Sequence, residues 1–256
     1  VLFALCATVD LESLADDLLS LLSKESSAVL SGTVSSSEYR TRVTVLKAPH
    51  GDLLSCMEMA KVADLLVFVA STRSLCEETL CEETDSYFID SFGNQCLSVF
   101  RSLGLPSTAV FVRDLPTELK QRNELKKICT SSLASEFPED CKFYPADTED
   151  DLHKFLSLFK EQRLKTPHWR TQRSYLVANK VDAVYDGNSD ICTLVLSGYL
   201  RVRNLSVNQL VHVSGAGDFQ LCKIEVLKDP FPLNSKKNQD LMDSDEMHDV
   251  EVWSFT

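Results

Sequence analysis

The chain has 256 residues, of which 26 are Lys or Arg and 38 are Asp or Glu, so its formal net charge is −12 at pH 7. This balance disfavours a nucleic-acid coat protein held on by overall charge, and any RNA contact has to be local. The composition is 44% hydrophobic and 25% charged, as in a globular protein. No apolar run reaches the roughly 18 residues needed to span a bilayer, which excludes a membrane-spanning protein.

The nine cysteines form no CxxC pair, and most of them lie inside apolar patterns. This pattern predicts reduced, buried thiols in an intracellular protein. The five histidines lack the spacing of zinc ligands, so we predict no metal site.

Residues 1–165 alternate between strand and helix patterns. The apolar segment Val1–Ala7 has the pattern of a core strand, so we expect further residues of the native protein to precede it. An amphipathic helix is predicted over Asp10–Lys24, and an acidic loop over Cys76–Asp85. The other predicted strands are Ala28–Val34, Tyr39–Lys47, Asp64–Ala70, Ser107–Val112 and Cys141–Ala146, and the other predicted helices are Asp52–Val62, Ser86–Leu103, Thr117–Ser135 and Thr148–Arg163. This alternation predicts a doubly wound α/β sheet with right-handed crossovers.

After residue 165 the pattern changes to short strands separated by turns, such as Asp186-Gly187-Asn188. We therefore predict a small antiparallel β-barrel domain over residues 166–233, like the second domain of translational GTPases. Residues 234–251 are polar and acidic, which predicts a disordered insert, and residues 252–256 begin a further strand. The predicted barrel strands are Tyr175–Val184, Ile191–Val202, Gln209–Val213 and Phe219–Val226.

Charge differs between these parts: residues 1–165 carry a net −9, residues 166–229 a net +1, and the remainder a net −4. Phosphate contacts need local Lys and Arg side chains. Arg201, Arg203 and Lys223 are therefore the candidate contacts with RNA or a ribosomal particle, although exposed charge at a strand edge explains each of them alone.

The layout is that of translational GTPases, whose phosphate loop needs glycines for close backbone approach and a lysine to neutralise charge. The turn after the first predicted strand is Cys6-Ala7-Thr8-Val9-Asp10-Leu11-Glu12-Ser13. It has neither Gly nor Lys, and its two carboxylates would repel a triphosphate. We predict that this turn binds no nucleotide.

The other two nucleotide loops are equally altered. Where a GTPase has DxxG for magnesium, this chain has Ala48-Pro49-His50-Gly51, although the neighbouring Asp52 could in principle supply the carboxylate. The position that reads guanine, after the strand Ser107–Val112, keeps Asp114 but has neither the Asn nor the Lys. We therefore predict no catalytic residues, no cofactor and no small-molecule substrate.

A literal NKxD sequence, the guanine-reading signature, occurs at Asn179-Lys180-Val181-Asp182. It falls inside a predicted strand of the β domain instead of a loop at the end of a sheet strand. We interpret it as structural, with Asn179, Val181 and Ala183 on one side and Val181 facing inward.

The segment from Trp169 to Glu225 resembles the Tsr-one/Bms-one family of ribosome-assembly factors. The resemblance rests on Trp169-Arg170, on Leu210-Val211-His212-Val213 and on Gly217-Asp218-Phe219-Gln220-Leu221. Before Trp169 it is mainly architectural. The altered phosphate loop is similar to that of the family's GTPase-like branch, the 20S rRNA accumulation proteins.

This resemblance implies a non-catalytic factor on pre-40S particles, in contact with rRNA, small-subunit proteins and other assembly factors, and with no membrane partner. It implies support of late pre-rRNA processing, a block to premature subunit joining, and a place in the nucleolus and nucleus, with possible travel to the cytoplasm on the particle. Two alternatives stay open: a GTP-binding GTPase of the small-subunit processome, and a protein-interaction scaffold that uses the acidic insert.

Overall fold

The computed structural model describes residues 1–23, 32–73, 88–185 and 192–232, together with the backbone of 250–255. The whole predicted acidic loop at 76–85, the turn at 186–188 and residues 234–249 of the acidic insert at 234–251 lie outside these residues. In chain order the elements are β1 (Leu2–Ala4), α1 (Leu11–Ser23), β2 (Thr33–Ser36), β3 (Thr41–Thr44), α2 (Leu53–Val62), β4 (Leu65–Ser71), α3 (Ser91–Leu103), β5 (Ser107–Arg113), α4 (Leu119–Leu133), β6 (Lys142–Pro145), α5 (Glu149–Glu161), a 3-10 helix (His168–Gln172), β7 (Tyr175–Tyr185), β8 (Cys192–Arg201), β9 (Leu210–Val213), β10 (Gly217–Leu227) and β11 (Val250–Phe255).

The chain forms two compact units. The first comprises residues 1–24 and 44–167, and the second comprises residues 25–43 and 168–256. The sequence predicts a domain boundary at residue 165. It does not predict that the segment containing β2 and most of β3 belongs to the second unit.

The first unit contains a parallel sheet in the order β1-β4-β5-β6. Residues 66–71 of β4 are all buried, as expected for a strand covered on both faces. One face packs against α2, α3 and α4 through residues such as Cys56, Phe100 and Cys129. On the other face α1 packs against α5, and the Phe155 ring of α5 lies 4.6 Å from that of Phe111. This arrangement confirms the predicted doubly wound α/β fold.

The region around β3 differs from the prediction. The predicted strand Tyr39–Lys47 is wrong in extent, because β3 pairs with β2 in a separate two-stranded sheet. The next residues reach the parallel sheet as an isolated bridge between Lys47 and Leu2, in which the Leu2 N–H donates to the Leu46 carbonyl at 2.8 Å and the Ala48 N–H donates to the Leu2 carbonyl at 2.9 Å. Arg42 of β3 forms an ion pair within the second unit, with Asp229, at 3.1 Å.

The second unit contains an antiparallel sheet in the order β7-β8-β11-β10-β9, which confirms the predicted antiparallel β region. Its core is built around Leu196 and Leu221, with partly buried side chains such as Phe219 and Ile224. A register shift between Leu221 and Lys223 turns Ile224 toward this core and Lys223 away from it. Cys222, next to the inward-facing Leu221, is also exposed.

The prediction of buried thiols is therefore wrong for Cys222 and for Cys192, which are both exposed. Cys56, Cys96 and Cys129 are buried as predicted.

Candidate functional site

The turn between β1 and α1 is the counterpart of a phosphate loop. Its Ala7 N–H donates a 2.9 Å hydrogen bond to Asp90 Oδ2, and the Ser13 N–H donates to Asp10 Oδ1 at 3.1 Å. Asp10 therefore caps α1 with its own carboxylate. Two N–H groups of the kind that a GTPase offers to phosphate are satisfied here by carboxylates of the chain.

Asp90 connects this turn to two other segments. Its Oδ1 accepts a 2.7 Å hydrogen bond from the Gly93 N–H, which caps α3, and its Oδ2 lies 2.8 Å from His50 Nε2. The Asp90 N–H also donates to the Leu5 carbonyl at 3.0 Å. One carboxylate thus joins the turn after β1, the loop before α2 and the first turn of α3.

Gly93 makes this close approach possible. A Cβ atom at residue 93 would lie 2.3 Å from the Leu5 carbonyl oxygen, well inside any real contact distance. The N-terminus of α3 is therefore held directly against the turn after β1, with the Asp90 carboxylate between them.

The residues of this region do not fit a guanine nucleotide with magnesium. The Ala7 N–H already donates to Asp90, no lysine lies in the turn, and a phosphate would meet the Asp90 carboxylate. A bound nucleotide would have to displace a carboxylate that accepts hydrogen bonds from two separate segments.

Asp52, the possible substitute magnesium ligand, is the N-cap of α2. Its oxygens accept hydrogen bonds from the Ser55 N–H at 3.2 Å and from Ser55 Oγ at 2.6 Å. These hydrogen bonds lower the pKa of Asp52. Its carboxylate therefore stabilises a helix end.

The counterpart of the guanine-reading loop is also satisfied internally. The Asp114 carboxylate accepts a hydrogen bond from Ser71 Oγ and pairs with Arg73 Nη2 at 3.1 Å. Asp114 has a positive φ of 61°, and its N–H donates to Asp147 Oδ1 at 2.7 Å. The acid that the sequence retained here is thus engaged by its own chain.

Asp147 completes this second cluster. It also accepts the Leu115 N–H at 3.3 Å, and it lies 3.7 Å from Arg122 Nη1. Burial raises the pKa of Asp147, while the two N–H donors and Arg122 act in the opposite direction. The loops after β5 and β6 are therefore held together by this partly buried carboxylate.

The NKxD sequence lies in strand β7, as predicted, and its antiparallel partner is β8. The predicted inward orientation of Val181 is wrong, because its side chain is 60% exposed, and residues 180–185 are exposed on both faces of the strand. A register shift lies between Ala178 and Lys180. Lys180 Nζ pairs with Asp182 Oδ2 at 2.5 Å across the exposed face.

Two of the predicted contact residues flank a tight turn at the end of β8. The Arg203 N–H donates to the Arg201 carbonyl at 3.2 Å, and Val202 between them has a φ of +80°. This is a γ-turn of the strained type, which is rare for a β-branched residue. All three residues are exposed. Backbone strain of this kind concentrates at binding sites, and here the turn exposes two arginines at the end of an inner strand.

Lys223 lies apart from this turn. It is on β10, and β11 separates β10 from β8. Lys223 pairs across the sheet with Ser254 of β11, which pairs with Val195 of β8. Arg201 lies six residues beyond Val195 along β8, a distance of about 20 Å. Lys223 also pairs with Glu225, which raises the pKa of its ammonium group. The structure brings Arg201 and Arg203 together and does not bring Lys223 to them.

Sequence reasoning missed Asp90 and His50 as partners, since they are 40 residues apart along the chain. The available signal was the helix start Asp90-Ser91-Phe92-Gly93, in which an Asp precedes an amphipathic helix. Nothing in that signal identified Ala7 as the second donor. Within the described ranges, no cluster of three His, Cys, Asp or Glu side chains could hold a metal ion. None of the described helices is both long enough and apolar enough to cross a membrane.

Comparisons with known proteins show the family and the fold of this chain. Residues 1–159 match the family model described as the Tsr1 G-like domain, and residues 163–230 match the AARP2CN (NUC121) domain. The solved structure of translation elongation factor SelB from Methanococcus maripaludis, in complex with the GTP analogue GPPNHP, has the same fold. Its TM-score is 0.53 at 12% identity, over 99% of this chain and 50% of that one.

Curated relatives extend the match through both units. The chain is 33% identical over 216 residues to the pre-rRNA-processing protein TSR1 homolog of Xenopus laevis, covering 81% of this chain and 25% of that protein. It is 35% identical over 191 residues to the mouse homolog, covering 74% of this chain and 22% of that protein. The chain spans about a quarter of the length of these relatives. From the G-like domain model and these relatives together, the chain belongs to the TSR1 family.

Proposed function

We propose that this chain is part of a non-catalytic, GTPase-like ribosome biogenesis factor that binds pre-40S particles. In this proposal the factor supports late pre-rRNA processing and occupies the position of a translational GTPase, so that subunits do not join prematurely. Its relatives are named as pre-rRNA-processing proteins, which supports a role in pre-rRNA processing. Its place of action would be the nucleolus and nucleus, with rRNA, small-subunit proteins and other assembly factors as partners.

The observation that carries the non-catalytic part is the position of Asp90. Phosphoryl transfer depends on charge neutralisation and on donors aimed at the phosphates. Here the Ala7 N–H donates to a carboxylate, and no lysine lies beside it. The fold of a GTPase is kept, while the donors that would hold the nucleotide serve the protein itself.

Calorimetry with GTP and magnesium tests this part. We expect no saturable heat at micromolar protein concentration. We expect the same for Asp90→Ala, because removing the carboxylate restores neither the glycines nor the lysine of a phosphate loop. A dissociation constant in the micromolar range or tighter for the unmodified protein would instead favour the GTP-binding alternative.

Co-sedimentation with pre-40S particles tests the binding part. We propose that Arg201 and Arg203, presented by the γ-turn, contact the particle, with Lys223 as a separate contact. Glu substitutions at all three positions should weaken co-sedimentation about tenfold or more at moderate salt, since each lost phosphate contact lowers affinity. The control is the triple Glu variant of Lys142, Lys154 and Lys160, three exposed lysines of the first unit. Equal binding by both variants would remove the three predicted residues from the interface.

A further inference from the structure

Helix α4 differs in charge from the rest of the first unit. It contains Lys120, Arg122, Lys126 and Lys127 but only one acid, Glu124, whereas residues 1–165 as a whole carry a net −9. The charge of Arg122 is used internally, because its guanidinium pairs with Asp151 at 2.6 Å and lies near Asp147. The lysines are therefore the available cations of this helix.

The buried residues of α4 show which side of the helix faces solvent. Cys129 and Leu133 are buried and Leu125 packs against the same core. At 100° per residue, Lys120 and Lys127 lie on the side opposite this stripe, two turns or about 10 Å apart. Both are exposed, and no residue in the described part of the chain forms an ion pair with either.

We propose that the exposed face of α4, which carries Lys120, Gln121, Asn123, Lys127 and Ser131 together with the single acid Glu124, binds the phosphate backbone of RNA. The inference rests on the proposed function, because the RNA would be that of the small-subunit precursor. Lysine, amide and hydroxyl side chains are the groups that contact phosphate and sugar oxygens. Because α4 is net positive and the rest of the first unit is acidic, the electrostatic attraction to phosphate is concentrated on this helix.

A protein partner fits this face less well. The exposed apolar side chains of the helix, Leu119 and Ile128, are 74% and 43% exposed, but they lie on opposite flanks. They form no continuous apolar patch, and the residues between them are polar or charged. Protein interfaces have an apolar centre with few charges, which this face lacks.

The test compares two charge-matched variants. The first carries Lys120→Glu and Lys127→Glu on α4, and the second carries Lys154→Glu and Lys160→Glu on α5, which covers the opposite face of the sheet. All four lysines are exposed. Each variant is co-sedimented with pre-40S particles at two salt concentrations, and ellipticity at 222 nm checks that it is folded.

We expect the α4 variant to bind about tenfold more weakly or worse, with a shallower dependence on salt, and the α5 variant to change less than twofold. In particles labelled with 4-thiouridine, ultraviolet light should attach nucleotides to the α4 peptide of the unmodified protein. Equal binding by the two variants would overturn the inference. Loss of binding with α4 cross-linked to protein and not to RNA would overturn the RNA assignment.

These outcomes separate the inference from the proposed function. If the unmodified protein does not co-sediment with the particles, the proposed function fails and this inference fails with it. If the unmodified protein binds and the two variants bind equally, only the inference fails.

Discussion

The guanidinium carbon of Arg42 lies 3.6 Å from the centre of the Tyr199 ring. The same guanidinium pairs with Asp229 at 3.1 Å, and the Tyr199 hydroxyl donates to the other Asp229 oxygen at 2.5 Å. Asp229 also accepts the Phe231 N–H at 2.8 Å. This triad joins strand β3 to strand β8, and it combines a cation–π contact with charge-assisted hydrogen bonds.

The triad predicts a dependence of stability on alkaline pH. Burial and the hydrogen bond to Asp229 raise the pKa of Tyr199 well above its usual range, although Arg42 acts in the opposite direction. A folded-state pKa above the unfolded value, about 10, means that the folded protein keeps a proton that the unfolded chain loses. The contribution of Tyr199 to stability is therefore complete below pH 10 and is lost as the pH rises beyond it.

Urea unfolding followed by tryptophan fluorescence measures this effect, since Trp169 and Trp253 both belong to the second unit. Between pH 9 and 11 the free energy of unfolding should fall more in the unmodified protein than in Tyr199→Phe. At pH 8 the substitution should cost about 1 kcal/mol for the lost hydrogen bond. Identical pH profiles for the two proteins would contradict the prediction.

Asp90→Ala should destabilise the first unit more than the loss of a helix cap alone. The matched control is Asp52→Ala, which removes an N-cap whose partner, Ser55, lies in its own helix. We expect about 1 kcal/mol for the control and about 2–3 kcal/mol for Asp90→Ala, because the Ala7 N–H and His50 also lose their partner. Urea unfolding followed at 222 nm reports on the first unit, which contains α1 to α5. Equal losses would show that Asp90 acts only as a cap.

Val202→Gly should not destabilise the second unit. The positive φ of Val202 costs about 1–3 kcal/mol, which glycine avoids, while glycine loses about 0.5–1 kcal/mol of chain entropy on folding. Val207→Gly is the control, because Val207 is exposed in the same loop without a positive φ. It should lower stability by about 0.5–1 kcal/mol. The γ-turn assignment fails if Val202→Gly is as destabilising as the control when both are followed by tryptophan fluorescence.

The cysteines should react in two classes. Burial raises the pKa of Cys96 to about 12 and that of Cys129 to about 12, so very little thiolate is present at pH 8. Cys192 and Cys222 are exposed. Iodoacetamide at pH 8 should label the exposed pair quickly and leave Cys96 and Cys129 unlabelled until urea unfolds the protein. Mass spectrometry of the peptides locates each label, and rapid native labelling of Cys129 would contradict its burial.

The predicted order of strands and helices depended on local patterns, and for most elements those patterns were sufficient. The apolar run of β4 indicates a strand buried on both faces, and helix–strand alternation implies parallel crossovers. The absence of Gly and Lys from the turn at residues 6–13 is likewise visible without coordinates. These features are local because backbone periodicity and residue chemistry act within a few positions.

Tertiary structure alone decided what replaces the missing groups. Ala7 and Asp90 are 83 residues apart, and Arg42 and Asp229 are 187 apart, so no local pattern could pair them. The register shift at Cys222 reversed the side-chain alternation of β10, so that Lys223 is exposed and Ile224 packs against the core. In β7, residues 180–185 are all exposed, Val181 among them, against the prediction. One extra residue in a strand moves every later side chain to the other face, and the sheet partners that accommodate it are set by the whole fold.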